Sequence, residues 1–237
     1  TWTEQAKLTA SDGAAEDHFG NSVALSGNTA LVGAPYDEVG ANYAQGSAYV
    51  FTRSGAAWTQ QVKLTASDGA ASEQFGASVA LAGDTALVGA YGDGVGANDG
   101  QGSAYVFTRS GTAWAQQAKL TASDGAEWDQ FGISVALSGD ADTALVGAYY
   151  DGVGANDGQG SAYVFTRSGT TWTQQAHLTA ADGATNDHFG DSAALSGDTA
   201  LVGAFSDDVG ANVDQGSAYF CKLMFPVYLP LVLRNFQ

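Results

Sequence analysis

A period of 56 residues governs this chain. Trp2, Trp58, Trp114 and Trp172 each open a segment of the form Trp-x-x-Gln-x-x-Leu-Thr-Ala, at spacings of 56, 56 and 58 residues. The two additional residues are Ala141 and Asp142, set into a turn that reads SGNT, AGDT or SGDT in the other copies. Each copy then runs through Phe-Gly (at Phe19, Phe75, Phe131 and Phe189), a Ser-x-Ala-Leu stretch, Ala-Leu-Val-Gly-Ala and Gly-Ser-Ala-Tyr. Self-similarity on this scale means an array of supersecondary units, each burying its apolar surface against its neighbours.

Within one copy, four short β-compatible runs are separated by turn signals. In the second copy they cover residues 75–83, 85–92, 102–111 and 113–123. The two middle runs are almost continuously apolar, a pattern that implies burial on both faces of the sheet. A propeller blade meets that demand, because each four-stranded sheet is sandwiched between two others. Small residues in Ala-Leu-Val-Gly-Ala let those neighbours approach closely. The expected fold is therefore all-β: a β-propeller of four blades, each with four antiparallel strands, over residues 1–220. The last copy supplies only three strands before its pattern breaks. Residues 2–10 have the form of an outermost strand with no blade before them, so they are expected to complete the last blade and close the ring.

The segment FGNSVALSGNTALVGAP, residues 19–35, resembles the FG-GAP repeats of integrin α-chain propellers and of many bacterial surface proteins. The resemblance covers roughly residues 1–220 in four copies. It implies a propeller and an extracellular setting. Only the first copy keeps the proline of the motif, Pro35, where the others have Tyr91, Tyr149 and Phe205. The Asp-x-Asp-x-Asp-Gly loop of the calcium-binding members is replaced here by a tight turn such as Ser26–Thr29, so their calcium site does not carry over. Seven blades are usual in that family. A ring of four is inferred from the count of repeats, and two chains joined in a larger ring is the other arrangement left open.

Charge narrows the partners. The formal net charge is −17, from 25 acidic and eight basic residues. Nucleic acid and anionic lipid are bound mainly through Lys and Arg, so both are excluded as partners. Nineteen of the 25 carboxylates fall in the loops expected on one face, from Asp12 to Asp214, whereas Arg53, Arg109 and Arg167 fall in turns on the other. Three readings of the acidic face stand: solvation, cation binding, and head-to-tail stacking on the Arg-bearing face. For the second, Asp93, Asn98 and Asp99, with Asp151, Asn156 and Asp157, are the candidate oxygen ligands, and calcium is the hard cation they suit. The recurring Val-Gly-Ala-Asn and Gln-Gly elements of these loops point instead to shape-keeping hydrogen bonds.

No catalytic constellation is evident. His18 and His188 precede Phe-Gly at a position filled by Gln74 and Gln130 elsewhere, a poor place for a general base. His177 stands where the other copies carry Lys7, Lys63 and Lys119, and is expected on a strand surface. Cys221 is the only cysteine, so no intrachain disulfide forms. No glycine-rich turn leads into a helix of the kind that holds phosphate. Trp128 is the one tryptophan outside the repeat pattern, in the acidic loop GAEWDQ. With Tyr91 and Tyr149 it is a candidate platform for a sugar or a partner.

The last segment, residues 221–237, departs from the repeats. It is apolar, interrupted by Pro226 and Pro230 and too short to cross a bilayer. Its Tyr-Leu-Pro-Leu-Val resembles endings of exported bacterial proteins. Phe225, Tyr228, Leu229 and Leu231 are its candidate docking, assembly or sorting residues. The start within a repeat, without Met, reads as a processed or trimmed chain. The function expected from these features is a non-catalytic extracellular interaction or structural module of a bacterial cell surface or filament, self-assembling through its tail. The alternative is a glycan- or calcium-dependent binding domain of adhesin or lectin type that uses the acidic loop face.

Overall fold

Each repeat folds into an antiparallel meander whose order in the sheet follows its order in the chain. The computed structural model describes residues 1–224; Phe225, Tyr228, Leu229 and Leu231 lie outside the described residues. The first sheet holds β1 (Val23–Ser26), β2 (Thr29–Ala34), β3 (Ser47–Ser54) and β4 (Ala57–Leu64). The second holds β5 (Ser78–Ala82), β6 (Thr85–Ala90), β7 (Ser103–Ser110) and β8 (Ala113–Leu120). The third holds β9 (Ser134–Leu137), β10 (Thr143–Ala148), β11 (Ser161–Ser168) and β12 (Thr171–Leu178). The fourth has three strands, β13 (Phe189–Ser196), β14 (Thr199–Ala204) and β15 (Ser217–Lys222). A bulge recurs at Val50/Phe51, Val106/Phe107 and Val164/Phe165, where the last strand of each complete blade joins its neighbour. Such bulges add local twist to a strand pair.

The core lies between blades. Leu31, Val50, Leu64 and Ala66 of the first repeat pack against Phe75, Val79, Val88, Tyr105 and Phe107 of the second, and the same set recurs one repeat later. The phenylalanine of Phe-Gly plugs this seam. Phe75 meets Tyr105 and Phe107 edge-on at 5.5 and 5.9 Å, and its amide donates to the Gln45 carbonyl of the preceding blade at 2.9 Å. Side chains with two neighbours have no solvent face, which is why β2, β6 and β10 are buried at every position.

Glycine sets how close the blades come. A Cβ on Gly89 would fall inside the van der Waals radius of the Gly132 carbonyl oxygen, and the same holds for Gly33 against Gly76 and Gly147 against Gly190. Ser78 and Ser134 donate their hydroxyls to the carbonyls of Gly132 and Gly190 at 2.7 Å. The innermost strands thus contact one another in sequence, β1 to β5 to β9 to β13.

The expected closure by residues 2–10 is not what the structure shows. Residues 1–22 form no strand, and the outer edge of β15 has no partner strand among the described residues. Residues 8–19 instead cover part of the first blade, with Leu8, Ala10 and Phe19 against Ala30, Val32, Tyr49 and Phe51. That placement copies what Leu64, Ala66 and Phe75 do on the second blade. Beyond this cover the first blade is open: Val23 is 69% exposed, whereas its counterpart Val79 is 7% exposed. The fourth blade is open on the other side, with Phe220 79% exposed and alternating burial along β13, β14 and β15.

Seam glycines and turn glycines should respond differently to the same change. Gly89→Ala is expected to cost roughly 3 kcal/mol or more, because backbone must move in two blades. Gly27→Ala, at φ 56° with open space around it, should cost only about 1–2 kcal/mol for its left-handed backbone. Denaturant unfolding of both variants checks the contrast.

Candidate functional site

Four side chains from four separate segments recur at the loop end of each complete blade. In the first, Lys63 of β4 reaches Asp37 at 2.6 Å and Asp12 at 2.8 Å, while the Tyr49 hydroxyl donates to Asp37 at 3.2 Å. In the second, Lys119 reaches Asp93 at 2.7 Å and Asp68 at 2.8 Å, with the Tyr105 hydroxyl 3.0 Å from Asp93 and 3.1 Å from Asp68. Each lysine also lies over its tyrosine ring, at 5.4 and 5.3 Å. In the third, His177 replaces lysine, stacks on Tyr163 at 4.6 Å, and lies 3.4 Å from Asp151 and 3.3 Å from Asp124. His177 lies on β12 and is exposed there, as a strand-surface residue, while its imidazole reaches the two carboxylates of this cluster. The Asp151 hydrogen bond, followed by Asp124, raises its pKa against the opposing effect of burial. Burial, with Asp37 adding, pushes the Tyr49 hydroxyl up to about 12.

The fourth blade carries the same set without its cation. The Tyr219 hydroxyl is 3.1 Å from both Asp182 and Asp207, and no Lys, Arg or His joins them among the described residues. Lys7 is the residue the repeat assigns to that place.

These clusters revise the picture of a solvated acidic face. Asp37, Asp93, Asp151 and Asp207 are buried, as are Asp17, Glu73, Asp129 and Asp187 in the linkers between blades. Asp17, Asp129 and Asp187 cap the linker turns, accepting from the amides of Ala14, Ala126 and Ala184 at 2.5 to 2.6 Å. The arginines on the opposite side are engaged too. Arg53, Arg109 and Arg167 hold Asn28, Asp84 and Asp142, and lie over Trp58, Trp114 and Trp172 at 5.4 to 5.6 Å.

The six residues expected to favour calcium are divided between different tasks. Asp93 and Asp151 are buried in the clusters above. Asn98 and Asn156 donate to Gln101 and Gln159 at 2.9 Å and to the carbonyls of Gly125 and Gly183 at 3.1 Å. Those bonds shape the loop, and Asn42 with Gln45 repeats them in the first blade. Asp99 and Asp157 are exposed. Among the described residues no three His, Cys, Asp or Glu side chains gather into a possible metal site.

The aromatic residues, in contrast, come together. Tyr91 and Trp128 line one groove of about 650 Å³ with Glu73, Gln74, Asp99 and Gln130. The other side of Trp128 borders a second groove of about 370 Å³ with Tyr150, Asp157 and Asn186. Tyr149 lies next to it, 4.2 Å from Tyr150 and 5.4 Å from His188, which stacks on Phe205. Trp128 is 59% exposed, and its indole donates to Glu127 at 3.1 Å. Its backbone φ is 68°, in the left-handed region that bulky residues rarely adopt. Glu16, Ser72 and Asn186 occupy the same place at φ 66–68°. The indole lies against Gly100, where a Cβ would collide with it.

Glu73 was not singled out by the sequence, although it stands where the other copies have aspartate (Asp17, Asp129 and Asp187). It is 5% exposed and its Oε2 has no hydrogen-bond partner. Burial, with Asp93 adding, pushes it up to about 7, while the Ala70 amide acts in the other direction.

Successive antiparallel sheets with buried inner strands, joined through Phe-Gly seams, define a protein built of propeller blades. The chain belongs to the FG-GAP repeat family, which it matches over residues 2–51, 58–107, 114–165 and 172–220. Repeats of this family are usually extracellular and suggest an interaction or structural module. No curated protein matches the chain. Among the described residues no helix is long and apolar enough to cross a membrane.

Two outcomes follow from the buried charges. Lys119→Met leaves Asp93 buried without its cation and should cost about 3–5 kcal/mol, much of it recovered by adding Asp93→Asn; chemical denaturation of the single and double variants reads this. Glu73 binds a proton in the folded protein that the unfolded chain has already released between pH 4.5 and about 7. Its contribution therefore falls as pH rises through that window. Glu73→Gln should change little at pH 4.5 and stabilise by on the order of 2 kcal/mol at pH 8, in melts run across the range.

Proposed function

We propose that this chain is a non-catalytic, extracellular interaction module of the bacterial cell-surface type, and that its ligand is a glycan seated against Trp128. One observation carries the reading: an exposed indole is held in a strained backbone conformation between two grooves. All four repeats share this left-handed backbone, so the conformation belongs to the fold and only the exposed ring is particular to the third repeat. Three other repeats place a small or polar residue at the same spot, so the fold itself has no use for the ring. Around it lie groups suited to sugar hydroxyls: Gln74, Gln130, Asp99 and Asp157, with Tyr91 and Tyr150 as further aromatic walls. Apolar ring faces flanked by a few polar groups are the usual make-up of a small-ligand site. The acidic surroundings favour neutral or cationic sugars over sulfated or phosphorylated ones.

The test is binding of neutral oligosaccharides to the whole chain and to Trp128→Asn, in calcium and in chelator. The variant should lose tenfold or more in affinity, about 1.4 kcal/mol. Its thermal midpoint should hold or rise, since asparagine tolerates this conformation better than tryptophan. Unchanged affinity in Trp128→Asn, or no binding across a broad glycan panel, would reject the reading. Loss of binding in chelator would assign a role to calcium beside Asp99 and Asp157.

A further inference from the structure

We propose that the edge of β15, which has no partner strand among the described residues, takes residues 1–8 of a second copy of this chain as its fourth strand, with Lys7 of that copy entering the Tyr219–Asp182–Asp207 cluster. This goes beyond the glycan reading and rests on different residues.

The donated segment already has the right sequence. Residues 1–8 read TWTEQAKL, against AWTQQVKL, AWAQQAKL and TWTQQAHL in β4, β8 and β12. Yet residues 1–8 form no strand, and Trp2, Glu4 and Lys7 are exposed. Lys7 pairs with no carboxylate among the described residues. The register on β15 follows from the complete blades: Tyr49 faces Lys63, Ala48 faces Leu64 and Phe51 faces Gln60. Transposed, Tyr219 faces Lys7, Ala218 faces Leu8 and Cys221 faces Glu4.

The fourth blade has the matching vacancies. Tyr219, Asp182 and Asp207 stand in the positions of Tyr105, Asp68 and Asp93, two carboxylates that no Lys or His joins among the described residues. The linker amides of Ser11, Ser67 and Ser123 donate to Gln60, Gln116 and Gln174 at 2.9 to 3.0 Å. Ala181 occupies the fourth linker position, and Glu4 is the matching acceptor. Trp114 and Trp172 donate to Gln61 and Gln117 of the preceding blade at 3.2 and 3.1 Å. By the same step Trp2 of the second copy reaches Gln175.

The two end faces are complementary as well. Residues 8–19 sit on the first blade as residues 64–75 sit on the second, so the segment before Leu8 projects to where a preceding blade would stand. Phe220 on the fourth blade and Val23 on the first are exposed, while their counterparts Val50 and Val79 meet in one buried cluster. Strand addition to a sheet edge combines main-chain hydrogen bonds with side-chain pockets for specificity. The contact is head-to-tail, so two copies close into a ring or more extend it.

Cys221 makes a direct test, because it is the only cysteine. Facing residues of an antiparallel pair lie within disulfide reach. Glu4→Cys, oxidised in dilute solution, should form disulfide-linked species of two or more chains on a non-reducing gel. Light scattering of the wild-type chain should show mass above one chain at micromolar concentration. Lys7→Glu, on an exposed side chain, should keep the melting profile of the single chain and weaken association at least tenfold. A disulfide formed only within single chains would overturn the proposal in favour of closure by the chain's own strand. So would a wild-type protein that stays a single chain at every concentration, or association that Lys7→Glu leaves unchanged. Glycan binding by a single-chain form would leave the function proposed above intact while this proposal fails.

Discussion

A sheet buried on both faces needs a neighbour on each side, and that requirement orders everything else in this molecule. It explains why β2, β6 and β10 carry no polar face and why the seams between blades are lined by glycine and alanine. The seams are backbone against backbone: the Gly132 carbonyl oxygen sits where a Cβ of Gly89 would be and also accepts from Ser78. Apolar burial alone would tolerate looser fits, since it scales with area and has no direction. Carbonyl-to-glycine approach sets a single spacing, repeated at three junctions and crossed by a serine-to-carbonyl bond at the second and third.

The high acidic content has a structural cause that composition conceals. Eight of the loop carboxylates are buried, four in the clusters with Lys or Tyr and the others facing the amides or interior of the linker turns. Ion pairs at this depth recover the cost of desolvation only when every lone pair is engaged. The clusters concentrate several partners on one oxygen, Oδ2, of each buried loop aspartate by drawing on four segments: a linker Asp, a loop Asp, a strand Tyr and the cation of the last strand. The bond network therefore ties the outermost strand to the loop end of its own blade and to the incoming linker. A blade lacking its last strand keeps the two carboxylates and loses what neutralises them.

Much of this was legible in the sequence. The period, the four strands per repeat and the three-strand last repeat follow from patterning, because turn chemistry and continuous apolar runs are local signals. Asn98 and Gln101 were readable as loop-shaping residues from their recurrence. Closure was not legible, since the strand-four form of residues 1–8 says what they pair with and not in which copy of the chain. The fate of the acids was hidden for a similar reason. Asp93 and Asp99 are six residues apart in one loop, yet one is buried against Lys119, which lies 26 residues on, and the other faces water. The meeting of Tyr91 with Trp128 likewise depends on how adjacent blades align their loops, which no single repeat encodes.

The internal copies separate shape from use. Positions that repeat without change, such as the seam glycines, the strand-three tyrosines and the loop Asn–Gln pair, are those with recurring contacts in the first three blades. Positions that differ cluster at the loop end: Glu16, Ser72, Trp128 and Asn186 share one backbone conformation, and Pro35, Tyr91, Tyr149 and Phe205 share another place. A fold made by repetition would produce the same surface four times. The surface is uneven only where its side chains are released from packing, and there the third repeat has set its largest ring, at a φ of 68° that asparagine adopts at less cost. The left-handed backbone here is common to all four copies and belongs to the fold, whereas the side chain set on it changes from Glu16 to Ser72, Trp128 and Asn186. This is a position where the repeats keep one shape and vary what it displays.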